Sequence, residues 1–288
     1  MARLPVTKTP KVFVGGAFIR SESGRTFPFT TPRGEFVGHV PQCTRKDLRN
    51  AVESAAKAIP GWARRTAYNR AQILYRLAEM IEARAAELSQ AIALSGTSSA
   101  AARREVETAV DRLVHYAGWA DKYEQVLGSV NPVSGPYFNF TVTEPMGVLG
   151  LIAPRDTPIL ALISLIAPAI LSGNTVIALA SESQPYPAVV LGEMLATSDL
   201  PAGVVNLLTG YRKELIPTFA THQHLRGVGG VVSADERKAL QTGAADSVKR
   251  LRLYLEQEAP VWLSDDAQGL EAIRAWVEFK TTWHPIGA

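Results

Sequence analysis

Few side chains in this chain of 288 residues are suited to covalent or metal chemistry: one thiol, Cys43, and five histidines. A lone cysteine excludes an intramolecular disulfide and any clustered thiolate metal site, and it suits a reducing cytoplasm. Cys43 precedes the first helical stretch with no base beside it in sequence, so it reads as a small buried residue rather than a nucleophile. His222 and His224 stand two apart in a loop, where a metal ion would lack its third and fourth ligands. His39, His115 and His284 are scattered, and all five histidines read as structural or surface residues. Gly227, Gly229 and Gly230 invite comparison with a dinucleotide fingerprint, but spacing and chain position are both wrong for one. The pairs Arg64-Arg65 and Arg103-Arg104 fall on helical sequence and suit solvated faces. With a net charge of +3, they predict no nucleic-acid partner.

The elements that must position any site follow from periodicity. Val12 to Pro41 alternates around Gly15-Gly16, Ser23-Gly24 and Arg33-Gly34, which predicts short strands joined by tight turns. Thr44 is a plausible N-cap for a first helix. Two longer ones are predicted over about Tyr68–Ile92 and Ser99–Val126. Tyr137–Thr143 alternates in steps of two, as a half-exposed strand does. From Val148 onward, continuous apolar strands alternate with helices through Thr242, the pattern of an open parallel sheet covered on both faces. The fold class expected is α/β, a doubly wound, Rossmann-like parallel sheet behind N-terminal helices. Ile159–Leu171 is the most apolar run, but Pro168 breaks it and it is too short to span a bilayer. The N-terminal MARLPVTKTPKVFVGG lacks an apolar signal core. No membrane association and a cytoplasmic location are expected. The last segment, Trp276–Trp283, alternates and carries large aromatics. It predicts either a strand that pairs with another subunit or an edge strand of the chain's own small sheet.

Several blocks of the chain, in order, resemble the aldehyde dehydrogenase superfamily. These are FVGGAF with SESGRTFPFTTPRGEFVGHVP, the long helical run AVESAAKAIPGWARRTAYNRAQILYRLAEMIEARAAELS, and the core blocks TEPMGVLGLIAP, APAILSGNTVI and LPAGVVNLLTG. The resemblance implies a cysteine nucleophile, an asparagine amide for the oxyanion, a glutamate base and a bound nicotinamide dinucleotide. At the amide position stands Asp156, an acceptor-only carboxylate. Leu179 replaces the ribose-binding lysine, although Glu182 is kept. The pyrophosphate turn aligns with Gly230-Val231-Val232-Ser233-Ala234-Asp235, whose valines and acid suit a phosphate poorly. Tyr254 occupies the base position. Glu256 and Glu258 read as strand-end solvation. The helix near Leu270 leads straight into WVEFKTTWHPIGA, similar to the family's C-terminal strand, as if the catalytic domain were missing.

A shortened, non-catalytic second domain of two-domain aldehyde dehydrogenases is the nearest likeness. It implies a dinucleotide-binding-like domain over 1–135 and 146–270, with oligomerisation strands over 136–145 and 275–288 forming a small β subdomain. The expectation is therefore a pseudoenzyme with no catalytic residue, no cofactor and no metal. It would assemble with itself or with a full-length aldehyde dehydrogenase through Tyr137, Phe138, Phe140, Val142, Trp276, Val277, Phe279 and Trp283. Two alternatives stand beside it: an NAD(P)-dependent aldehyde oxidoreductase component active only in complex, and a ligand sensor with an altered crevice.

Overall fold

The computed structural model describes residues 8–287. The opening of the N-terminal segment read for a signal core, and the outer limits of the 1–135 and 275–288 segments, lie outside the described residues. The chain opens with β1 (Val12–Val14), β2 (Ala17–Ile19), β3 (Thr26–Thr30) and β4 (Phe36–Pro41). Gly15 and Gly16 both take positive φ, which closes the β1–β2 hairpin in two residues. The helices α1 (Arg45–Ala63), α2 (Ala67–Ala83), α3 (Ala85–Ala93), α4 (Ser99–Trp119) and α5 (Tyr123–Leu127) follow. Thr44 caps α1 as expected, in a reciprocal box with Asp47.

Both predicted long helices are broken. Arg84 leaves the helical region at φ −119°, ψ 22° between α2 and α3. Its guanidinium donates to Glu87 and, at 2.6 Å, to Glu193 of a distant helix. The second break separates α4 from α5 at Ala120–Lys122.

Next come β5 (Ser129–Asn131), β6 (Tyr137–Pro145), β7 (Val148–Ile152), α6 (Leu160–Leu171), β8 (Thr175–Leu179), α7 (Tyr186–Ala196) and β9 (Val205–Leu208). They are followed by α8 (Arg212–Thr221), β10 (Leu225–Val232), α9 (Ala234–Ala244), β11 (Arg250–Leu255), α10 (Leu270–Arg274) and β12 (Val277–Pro285). The main sheet runs β11-β10-β7-β8-β9-β1-β2. Its first five strands are parallel; β1 and β2 are antiparallel additions that pattern alone assigns only to hairpins. Strand order grows from β7 through β8 to β9, then returns to β10 on the other side of β7. The carboxyl ends of β7 and β10 therefore flank a topological switch point, where open α/β sheets bind ligands.

All twelve residues of α6 are buried, between the sheet and the α2–α4 layer. A helix apolar all round has no other stable place, and each buried Leu or Ile contributes about 1.5–3 kcal/mol. Leu48, Val52, Leu215 and Phe219 of α1 and α8 cover the opposite face. The loop after β11 is held from inside by Arg112, whose guanidinium donates to the carbonyls of Ala267 (2.7 Å) and Trp262 (2.9 Å). Among the described residues no helix is long and apolar enough to cross a membrane.

A second sheet, β12-β6-β5, stands apart from the first. β12 pairs with β6 along nine residues, from Val277↔Pro145 to Pro285↔Tyr137, so the terminal strand finds its partner within the chain. Residues opposite each other across an antiparallel pair share a face. Tyr137, Phe279 and Trp283 accordingly lie on one side, with Phe138, Phe140 and Val142 on the other. Tyr137, Phe138, Val142, Phe279 and Trp283 are exposed and Phe140 is half-buried.

Two residues expected at an interface belong instead to the core. Trp276 and Val277 are 2% and 1% exposed. The indole of Trp276 lies on Gly227 and Gly229 of β10, where added Cβ atoms would approach it to 2.8 and 2.6 Å. Those glycines make room for a ring, not for a phosphate.

Candidate functional site

The crevice is assembled from loop ends. β7 continues through Ala153, whose N–H donates to Leu179 at 3.0 Å, into the loop Pro154–Thr157. Asp156 is exposed on that loop, and Thr157 takes a left-handed φ of 48°. α6 begins beyond it, with no side-chain cap of its own. The buried Glu105 of α4 supplies one: its Oε1 accepts from the backbone N–H groups of Ile159 (2.8 Å) and Leu160 (3.1 Å). Burial, and secondarily the nearby charge of Asp156, raise the Glu105 carboxyl above its ordinary value.

The pH dependence this produces has a definite sign. The folded state holds a proton that the unfolded chain has released, so the stabilisation is complete below 4.5 and is lost as pH rises through the raised value. Glu105→Gln keeps an acceptor for both N–H groups and removes the titration. Urea unfolding between that pH and neutrality should show a flatter slope for the variant. The difference for one proton is at most about 1.4 kcal/mol per pH unit.

Leu179 ends β8 fully buried in the core, so no side chain from that position enters the crevice. Two residues later the chain turns back. Ser181 Oγ donates to Arg155 O at 2.7 Å, and the carboxylate of Glu182 accepts from the backbone N–H of Arg212 at 2.7 Å, at the start of α8.

The segment aligned with a pyrophosphate turn is divided. Gly230 to Val232 complete β10, and Ser233 is the N-cap of α9 in a capping box with Glu236. Ser233 Oγ accepts from Glu236 N (3.2 Å), and Glu236 Oε2 accepts from Ser233 N (2.9 Å). The valines are buried strand residues rather than loop residues.

Between these groups lies Arg212, which motif reasoning passed over. It is 2% exposed. Its guanidinium donates to Glu236 Oε2 at 3.1 Å and to the carbonyl of Ala153. Burial lowers its pKa from the ordinary value, against the pull of Glu236. One signal was available in the sequence: a cation in the first turn of a helix opposes the macrodipole, so such a residue is placed for another reason. The structure thus joins Glu182 and Ser233 through Arg212 and Glu236.

Asp156 and Tyr254 are not hydrogen-bonded to this group. The Tyr254 hydroxyl accepts from Arg252 Nε at 2.9 Å, and its ring lines a separate cavity of about 100 Å³ beside Trp262 and Trp276. Cys43 is fully buried, and burial, with the charge of Asp47, pushes its thiol up to about 12. No group of three His, Cys, Asp or Glu side chains suited to a metal occurs among the described residues.

A parallel sheet with a switch-point crevice, flanked by the N-termini of two helices, defines a dinucleotide-type α/β fold. Residues 18–284 match the aldehyde dehydrogenase family, and the chain belongs to that family. Retinal dehydrogenase 2 of Mus musculus is 34% identical over 90% of this chain and 51% of that protein. Hydroxyisobutyraldehyde dehydrogenase of Mycolicibacterium austroafricanum is 31% identical over 93% of this chain and 53% of that protein. The NAD+ complex of aldehyde dehydrogenase from Bacillus cereus superposes with a TM-score of 0.82 at 28% identity, covering 86% of this chain and 51% of that one. The chain spans about half the length of these relatives.

Two expectations are corrected by these matches. The reading of the chain as no enzyme is overturned by relatives that are named dehydrogenases. The reading that it takes no dinucleotide is overturned by a structural neighbour that is itself an NAD+ complex. Both readings leaned on substituted side chains, and the first leaned also on the passage from the helix near Leu270 straight into WVEFKTTWHPIGA. Strand ends and helix N-termini are backbone features that such substitutions leave in place, and here they persist along with Glu182.

Proposed function

We propose that this chain is one component of an NAD(P)-dependent aldehyde dehydrogenase assembly. It carries the dinucleotide crevice in segments 1–135 and 146–270 and associates through 136–145 and 275–288 with a second copy or with a full-length chain of the family. At the crevice, Glu182 and the N-terminus of α9 are the groups suited to a nucleotide's ribose and phosphates, once Arg212 is moved aside. The dinucleotide supplies a hydride acceptor. Cys43 is buried in the core and its thiol is pushed up to about 12, which favours a nucleophile supplied from outside residues 1–288.

The observation that carries this reading is the β5-β6-β12 sheet, which leaves aromatic rings exposed on both faces. Phe138 is 45%, Phe279 47% and Trp283 58% exposed. A three-stranded sheet gains its stability from a covered face, and β12 and β5 also present unpaired edges.

Sedimentation equilibrium tests the association. The wild-type chain should be dimeric or larger, and the double change Phe279→Ser, Trp283→Ser should weaken association at least about tenfold while leaving the far-UV spectrum unchanged. A wild type that is monomeric alone and also fails to associate when mixed with a full-length family member would defeat the reading. NAD+ reduction with several aldehydes, by the chain alone and mixed with a full-length family member, tests the catalytic part. Turnover by the mixture beyond that of the separate proteins supports it; no difference opposes it.

A further inference from the structure

We infer that Arg212 and Glu236 form a latch that fills the dinucleotide crevice from within, so that a nucleoside diphosphate enters only after the Arg212 guanidinium leaves Ala153 and Glu236. This rests on the crevice being a dinucleotide site. Arg212 begins α8 yet reaches across the sheet end, tethered to the carbonyl of Ala153, the residue after β7, and to the third residue of α9. It therefore bridges the end of β7 and the N-termini of α8 and α9.

The positions that attract an anion are taken by the protein's own carboxylates. Glu182 accepts the first N–H of α8, and Glu236 accepts the N-cap N–H of α9, each where a phosphate would otherwise be favoured. Glu236 also brings a negative charge to the place a diphosphate needs, and Asp235 beside it adds another.

The closed arrangement carries internal costs that make it exchangeable. Arg212 Nε is buried without a hydrogen-bond partner, and its cation stands in the first turn of α8. A second arginine, Arg155, faces the same group, but its Nε is engaged by Glu256 at 3.0 Å. Opening returns Arg212 to water and releases the Glu236 carboxylate, whose remaining tie is the α9 capping box that an anion would displace. Closing excludes the nucleotide. The apparent affinity is then the intrinsic one reduced by the open fraction.

Calorimetric titration of the purified chain with NAD+, NADP+ and ADP-ribose tests the latch. Arg212→Ala should bind at least about tenfold more tightly than the wild type, as follows if no more than one molecule in ten is open. Glu236→Gln keeps the arginine and a cap oxygen but loosens the pair. It should give a smaller gain in the same direction and serves if the alanine variant does not fold. In a ¹⁵N–¹H spectrum, the sealed Arg212 Nε–H should exchange slowly with water, and saturating NAD+ should abolish that protection. Equal affinity in wild type and Arg212→Ala overturns the latch and leaves the crevice reading standing. Weaker binding by Arg212→Ala makes the arginine a ligand contact and also overturns the latch. No binding by any form removes the crevice reading and the latch together.

Discussion

Trp276→Ala is expected to lower the unfolding free energy by about 3–5 kcal/mol, the range for deleting a large buried aromatic. That is a large share of the roughly 5–15 kcal/mol that holds an ordinary domain folded. The indole is 2% exposed and lies on the flat surface made by Gly227 and Gly229. The same residue fixes the start of β12: its carbonyl accepts from Asn174 Nδ2 at 2.8 Å, and its N–H donates to Ile273 O at 2.9 Å. Loss of the ring would enlarge a cavity of about 100 Å³ that it already lines.

Urea unfolding distinguishes this role from that of the exposed aromatics. Trp276→Ala should shift the midpoint with no change in association before unfolding. Phe279→Ser with Trp283→Ser should do the reverse. A thermodynamic cycle with Gly229→Ala sharpens the test. Its Cβ would approach the indole to 2.6 Å in the wild type but meet nothing nearer than the Arg252 carbonyl, at 3.3 Å, once the ring is gone, so the two changes together should cost less than their sum. An unshifted midpoint for Trp276→Ala would return the residue to the interface where its sequence context places it.

That contrast shows what a sequence pattern carries and what it omits. Alternation in Trp276–Trp283 identifies a strand, and aromatic content identifies it as sticky, but neither says which ring meets the core. The deciding neighbours, Gly227 and Gly229, lie about fifty residues away and are themselves ambiguous. Glycine serves close approach of any group, and here that group is an indole. The parallel sheet was legible because fully buried strands read as continuous apolar runs, as Val148–Ile152 and Thr175–Leu179 do. The helix break at Arg84 was not, because Glu-Ala-Arg-Ala-Ala-Glu-Leu favours uninterrupted helix. It is tied to a tertiary ion pair with Glu193. β5 was also invisible, since three residues have no period and acquire strand geometry only by pairing with β6.

The site divides the same way. Glu182 and Ser233 come from the likeness to the family's motifs, and the structure sets them just beyond β8 and β10, at the sheet end. Arg212 has no such marker, and its role depends on Glu236 and Ala153 meeting it in space. A dinucleotide is held as much by backbone N–H groups and helix ends as by any one lysine, and these follow from fold rather than residue identity.

Gly230→Ala is expected to be the most damaging single change in the sheet. Gly230 sits in β10 opposite Ile152 of β7 on one side and Leu253 of β11 on the other. Its φ is +131°, and an added Cβ would lie 2.0 Å from the Ile152 carbonyl oxygen and 2.8 Å from its nitrogen. Both are backbone atoms of a central strand fixed by ladders on either side, so no side chain can rotate to relieve the clash. The strands must separate or β10 must shift, and either opens the switch point that the crevice depends on. The loss should exceed about 4–5 kcal/mol, enough to remove most soluble protein on expression. Gly24→Ala supplies the control. That position also has positive φ, +67°, but nothing stands within 4 Å of the new Cβ, so backbone strain alone applies, at about 1–2 kcal/mol. Soluble yield and thermal midpoint, compared for the two variants, separate strain from collision. If Gly230→Ala proves no worse than Gly24→Ala, the β7–β10 contact is looser than the ladder implies, and a rigid crevice floor beneath Arg212 cannot be assumed.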